Sequence, residues 1–372
     1  MDAERSTSSE PSQPDVGPIL MPAFIPGRPL LARQRRALTL KQLASLSKIT
    51  STSLNAYENE RQQPSRGSIS SLSAALGFPV SFFSAPAPAP IQRDWVNLRR
   101  PSKVASRQRD GALSSATLAA SLNPWLESRF HLPQPNVPRL QGASPEEAAE
   151  AVRTYWFLAD APIQGLIPLL EANGIRVFAL PLEFTDVGSF SAVLSGTPFV
   201  FLTSQQPDAD NRLDAARALG HLVLRPSNGQ IDWRALETET NRFAAAFLMP
   251  RTGLLAHMLR NATPERIATS KGLWGVPATA LAHRLHGLGL TQEWNFRRAL
   301  AQVKQTSLSR QDHATSETSA LLPNVFRALH AQGLTPHDVA EHLCLPMWEL
   351  NNYMPGFDLL AFASPSAGAI PA

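Results

Sequence analysis

Twenty residues near the start of the chain allow few arrangements. Leu38 to Tyr57 reads Leu-Thr-Leu-Lys-Gln-Leu-Ala-Ser-Leu-Ser-Lys-Ile-Thr-Ser-Thr-Ser-Leu-Asn-Ala-Tyr. Thr39 can cap a helix that carries Leu43, Ala44 and Leu46, and Thr50 can cap a second whose Leu54 and Tyr57 face inward. Ala44 is small enough for the two helices to cross closely, and Ile49 plugs the corner between them. The chain therefore turns sharply near Lys48. Ser51, Thr52, Ser53 and Asn55 are left on or near the exposed end of the second helix.

The charge around this unit narrows its partner. Residues 22–110 hold fourteen Lys and Arg against Glu58, Glu60, Asp94 and Asp110, a net of +10, whereas the rest of the chain nets −6. A basic module on a mildly acidic body suits a polyanion. When two such helices meet duplex DNA, the second enters the major groove with its N-terminal residues at base edges. Thr50, Ser51, Thr52 and Asn55 are thus the candidates for base contact, and Asn55 suits adenine. Arg35, Arg36 and Arg61, with Arg33 and Arg66, are the candidates for phosphate. Over residues 28–84 the sequence resembles the XRE (Cro/C1-type) repressor family, carried by Leu38-Thr39, Leu43-Ala44, Ile49-Thr50, Leu54 and Tyr57-Glu58. Pro64, Leu72, Ala75-Leu76 and Phe82-Phe83 fit that family's fourth and fifth helices. Lys48 stands where Gly is usual, and Leu40 replaces a common Gln.

The single cysteine, Cys344, excludes an intrachain disulfide and a Cys-based zinc finger. There is no run of 18 apolar residues and no apolar signal core at the start, so a cytoplasmic protein without membrane segments is expected. Residues 1–21 read as a disordered tail, 22–84 as the DNA-binding domain, and 85–145 as a Pro-rich spacer and linker helix that Pro124 should interrupt. Ser144-Pro145-Glu146-Glu147 is a helix start with a capping box. Strands are expected at 175–180, 189–194 and 198–202, with a hairpin at Ser195-Gly196-Thr197, and helices at 208–225 and 234–248.

The helix at 208–225 contains Arg217-Ala218-Leu219-Gly220-His221, and Glu239 follows eighteen residues after His221. Zinc peptidases commonly carry His-Glu-x-x-His on one helix, with two His one turn apart as ligands and the Glu as general base. Residues 146–308 resemble the ImmA/IrrE family of zinc-dependent peptidases, through Ile163–Leu182, Arg212–Leu224 and Asn241–Pro250. The resemblance implies that His221 matches the second metal-binding His and Glu239 the third ligand. Arg217 stands where the first His belongs and Ala218 where the catalytic Glu belongs. Arginine stays protonated and offers no lone pair, so Arg217, His221 and Glu239 are expected to be vestigial positions with no metal, no catalytic residue and no cofactor. Arg217 is expected to pair with Glu239; Asp214, one turn earlier, is a conceivable substitute ligand.

Residues 334–353 repeat residues 38–57 without gaps at a constant offset of 296, from Leu334-Thr335 at Leu38-Thr39 to Tyr353 at Tyr57. This copy carries Asp338, Glu341 and Glu349 and no Lys or Arg, so it is expected to pack or bind a partner rather than DNA. A helical region over 309–360 and a frayed tail over 361–372 complete the chain. The expected architecture is mainly α with a small β-sheet: a five-helix lambda-repressor-like head, a zincin-like α+β domain and a helical C-terminal region. The expected function is a sequence-specific transcriptional regulator, working as a homodimer, with an inactive peptidase-like domain that senses a protein or small-molecule effector. The alternative is a zinc-dependent endopeptidase that cleaves a regulatory protein through a non-standard metal site.

Overall fold

The computed structural model describes residues 23–92, 96, 104–203, 208–226, 231–306 and 317–360; the two expected tails lie outside them. The head contains α1 (Gly27–Arg35), α2 (Leu40–Ser47), α3 (Ser51–Glu58) and α4 (Arg66–Leu76), closed by a 3₁₀ turn at Val80–Ser84. Next come α5 (Ser106–Ala120) and α6 (Leu122–Glu127). The expected single helix does break, and Pro124 falls in the first turn of α6, where its missing N–H would have no helical partner. The body starts with α7 (Pro145–Tyr155) and α8 (Leu166–Ala172), then β1 (Arg176–Leu180), β2 (Phe190–Leu194) and β3 (Thr197–Thr203). It continues through α9 (Asp208–Leu224), α10 (Trp233–Leu248), α11 (Arg251–Ala256), α12 (Pro264–Trp274), α13 (Ala278–Gly287) and α14 (Glu293–Thr306). The chain finishes with α15 (Leu321–Ala331), α16 (Pro336–His342) and α17 (Met347–Asn351).

The sheet order is β1-β3-β2, with β1 parallel and β2 antiparallel to β3. Ser195 and Gly196 both take positive φ, at 49° and 86°, as a tight hairpin requires. Side chains alternate across a strand, and here the alternation sorts them by chemistry. Phe178, Phe190, Phe199 and Phe201 line one face, and Val177, Val200 and Leu202 the other. The aliphatic face packs on the core of α7–α14. The phenylalanine face joins a second core built from α5, the head and α15–α17.

Helix α5, expected as a linker helix, has ten consecutive buried residues, Gly111–Ala120. Its Gly-Ala-Leu-Ser-Ser-Ala-Thr-Leu-Ala-Ala sequence is mostly small, which lets neighbours approach from every side. A Cβ on Gly111 would lie 2.4 Å from the Phe184 ring.

The repeat extends to backbone geometry. Thr39 and Thr335 both close capping boxes, with Gln42 and Asp338 respectively. The left-handed residues Ala37, Lys48 and Glu60 recur 296 positions later as Gly333, Cys344 and Gly356. The second copy packs inside the chain. The N–H of Ala179, on the edge strand β1, donates to the Tyr353 carbonyl at 3.0 Å. Glu349 is fully buried and pairs with Arg35 of α1, while the Tyr353 hydroxyl donates to the same carboxylate. Arg35 also pairs with Glu183, in the turn after β1, at 2.5 Å. Burial opposes the Arg35 charge, but Tyr353, Glu349 and Glu183 outweigh it and push its pKa up. Removing one member of a buried pair costs about 3–5 kcal/mol because the other charge is stranded. Glu349→Ala is expected to lower unfolding free energy by about that much in urea titration, and Arg35→Met combined with Glu349→Leu by clearly less. Equal losses would mean that the cluster contributes packing only.

Candidate nucleic-acid interface and peptidase-like site

In the head, Thr39 and Thr50 cap α2 and α3 by accepting from the N–H groups of Gln42 and Ser53. Between them Lys48 takes φ 60°, the left-handed corner that a lysine enters at some strain. Leu43, Leu54 and Tyr57 are buried, which turns the opposite side outward. Thr50, Ser51, Thr52 and Asn55 are all exposed at the start of α3 or one turn along it. The Thr50 hydroxyl is engaged as the cap and Asn55 Oδ1 accepts from Asn59 Nδ2 at 3.0 Å, so Ser51 and Thr52 have the least committed side chains.

The arginines divide. Arg61 and Arg66 are exposed, as are Lys41 and Lys48. Arg33 makes a bidentate pair with Glu58, both bonds 2.7 Å. The expectation that Arg35 and Arg36 reach phosphate is corrected. Arg35 is 0% exposed inside the Glu349 cluster. Arg36 lies over Phe78 and Trp348, at 4.9 and 4.3 Å, donates to the Leu76 carbonyl at 2.8 Å, and meets Glu349 at 3.4 Å. Both residues hold the head to the C-terminal copy. Sequence spacing cannot reveal this, because Glu349 lies 314 positions from Arg35.

In the body, α9 packs on α10 and approaches it closely at Gly220. A Cβ there would lie 2.9 Å from Phe243 and 3.3 Å from Thr240. Thr240 and Phe243 are buried, and the neighbouring Glu239 faces outward, exposed. The expected Arg217–Glu239 pair is therefore corrected: Arg217 pairs with Asp214, one turn earlier on α9, and donates to Asn241 Oδ1 at 3.2 Å. The Asp214 side chain is 3% exposed and the Arg217 side chain 16%. Asn241 lies 24 positions from Arg217, and no local sequence signal marks it as the partner. Ala218, one residue on from Arg217, is buried and carries no proton-accepting group. Burial, then the charges of Arg217 and Arg225, holds the His221 imidazole down to about 4, so it is neutral at pH 7. Among the described residues no three His, Cys, Asp or Glu side chains gather as a metal site would need. Beside Asn241 a groove opens between the start of α7, α10 and α13, lined by Glu146, Leu213, Arg242, His283 and Arg284, with a volume near 610 Å³.

The His221 shift has a definite sign in stability. Between pH 6.5 and 4 the unfolded chain binds a proton that the folded chain refuses, so stability rises with pH across that window. At pH 5 the loss relative to pH 7.5 is about 2 kcal/mol. His221→Gln is expected to lose about that much less than the parent chain when urea unfolding at the two pH values is compared. Identical losses would contradict an imidazole that stays neutral in the fold.

Two stretches match known families. Residues 31–83 match the helix-turn-helix family HTH_3. Residues 170–286 match Peptidase_M78, the IrrE N-terminal-like domain. No curated protein matches the chain. Among the described residues no helix is long and apolar enough to cross a membrane. The chain thus joins an XRE-type helix-turn-helix domain to an IrrE N-terminal-like domain of the M78 peptidase type.

Proposed function

We propose that this protein is a sequence-specific, DNA-binding transcriptional regulator whose peptidase-like body no longer hydrolyses peptides. One observation carries the second half. Arg217, which the resemblance to zinc peptidases sets at the first metal-binding His, has its guanidinium paired with Asp214 and bonded to Asn241. A guanidinium has no lone pair for zinc and places positive charge where the cation would sit. The same ion pair engages Asp214, the carboxylate one turn before Arg217. Ala218 cannot take a proton from water, and general-base catalysis is worth about 10²–10⁴-fold. The residues present do not fit a catalytic zinc, and no hydrolytic step is assigned to them.

DNA binding rests on the helix-turn-helix match together with the exposed start of α3. Thr50, Ser51, Thr52 and Asn55 face the bases in this reading, and Arg61, Arg66, Lys41 and Lys48 face the phosphates. Two chains pair as a homodimer so that two heads reach adjacent half-sites. An effector, protein or small molecule, docks in the groove beside Asn241 and acts on the head through the shared core.

Two measurements test the proposal. After zinc exposure and desalting, the purified protein is expected to retain close to zero zinc per chain. Zinc near one per chain would revive the alternative of a zinc endopeptidase with a non-standard site. Thr52→Ala and Asn55→Ala are each expected to weaken binding to the selected operator by about 1–3 kcal/mol while leaving binding to random duplex nearly unchanged. Equal weakening on both duplexes would remove these residues from base readout.

A further inference from the structure

We infer that Arg107, on the first turn of α5, is a phosphate contact of the DNA interface, so that the reading surface extends beyond the helix-turn-helix unit onto the helix that joins it to the body. The inference rests on the DNA-binding reading above. Residue 107 lies outside the matched stretch 31–83.

The placement comes from the side chains around it. Arg107 is exposed, and its Nη1 donates to Gln42 Oε1 at 3.4 Å. Gln42 is the capping-box residue of α2, and its Oε1 already accepts from the Thr39 N–H at 2.9 Å and the Thr39 hydroxyl at 3.0 Å. A long bond to a shared, neutral amide oxygen is a weak hold on a guanidinium. A phosphate in the same place would be a strong one, charge-assisted and able to take two N–H groups. No carboxylate among the described residues pairs with Arg107. In a helix-turn-helix complex the first helix of the motif crosses the sugar–phosphate backbone. That helix is α2, so a cation at its first turn lies beside the strand.

The position is also fixed. Ser114 Oγ of α5 donates to Gln34 Oε1 of α1 at 3.2 Å, and Gly111 sits against the Gln34 carbonyl, where a Cβ would come within 3.0 Å. From Gly111 onward α5 is buried. The α5 backbone at Arg107 is therefore held in register with α2 by the core, which leaves only the side chain to be ordered on meeting DNA. Arg35 and Arg36, which sequence proximity favours as phosphate ligands, are committed to partners within the protein; Arg107, about seventy residues later, joins Lys41 and Lys48 as an exposed cation at α2.

The test is binding of the full chain to a random-sequence 30-base-pair duplex between 50 and 300 mM salt. Each lost phosphate contact lowers the slope of log K against log salt by about 0.9, equivalent to about fivefold in affinity at 0.15 M. Arg107→Gln is expected to show that loss, Arg107→Glu a larger one, and Arg297→Gln on α14 none. Melting curves that overlay the parent's exclude unfolding as the cause. If the parent binds the duplex and Arg107→Gln keeps both its slope and its affinity, the inference is overturned and the DNA-binding reading stands. If the parent binds no duplex at any salt, both fall.

Discussion

A small sheet buried on both sides has to be covered twice, and most of the architecture follows from that requirement. Three strands put phenylalanines on one face and aliphatic side chains on the other. The body helices cover the aliphatic face. The phenylalanine face needs a second layer, and α5, the head and the C-terminal copy supply it. Helix-turn-helix and peptidase-like parts are therefore two sides of one wall. Burial at about 25 cal/mol per Å² of apolar surface makes the shared layer cohesive, and α5 conforms to it through small residues instead of an amphipathic stripe.

Charge then orients what burial gathers. Arg35 is held by Glu183 from the sheet connection and by Glu349 from the last helix, with Tyr353 completing the Glu349 carboxylate. Apolar contacts tolerate sliding, whereas a guanidinium locked between two carboxylates has one orientation. This cluster sets how the head sits on the body, and it is also why Arg35 is absent from the surface and Arg36 is only partly exposed. On the far side of the wall Arg217 is committed in the same way, paired with Asp214 of its own helix and bonded to Asn241.

Much of this was legible in the sequence because the signals were local. The Thr39 and Ser144 caps, the Ser195-Gly196 hairpin, the three strands and the 296-residue repeat all depend on neighbours within a few positions or on a constant offset. The failures had the opposite character. Arg35 and Arg36 looked like surface cations because their partner is 314 and 313 residues away. Glu239 looked like the mate of Arg217 by family position, but the turn of α10 that buries Thr240 and Phe243 rotates Glu239 outward. The importance of α5 was hidden because ten buried, mostly small residues carry no periodic signal, and nothing local marks Arg107 as a neighbour of Gln42.

The length of the Arg35–Glu349 connection matters before the protein is ever complete. A ribosome adding about 5–20 residues each second needs roughly 15 to 60 seconds to travel the 314 positions between them. Throughout that interval Arg35 has no Glu349, the phenylalanine face has no α15–α17, and the Ala179 edge of the sheet has no Tyr353 carbonyl. The head is made long before its packing is finished, so a chain stalled between Thr203 and Tyr353 would carry an open strand edge of the kind that pairs with other chains.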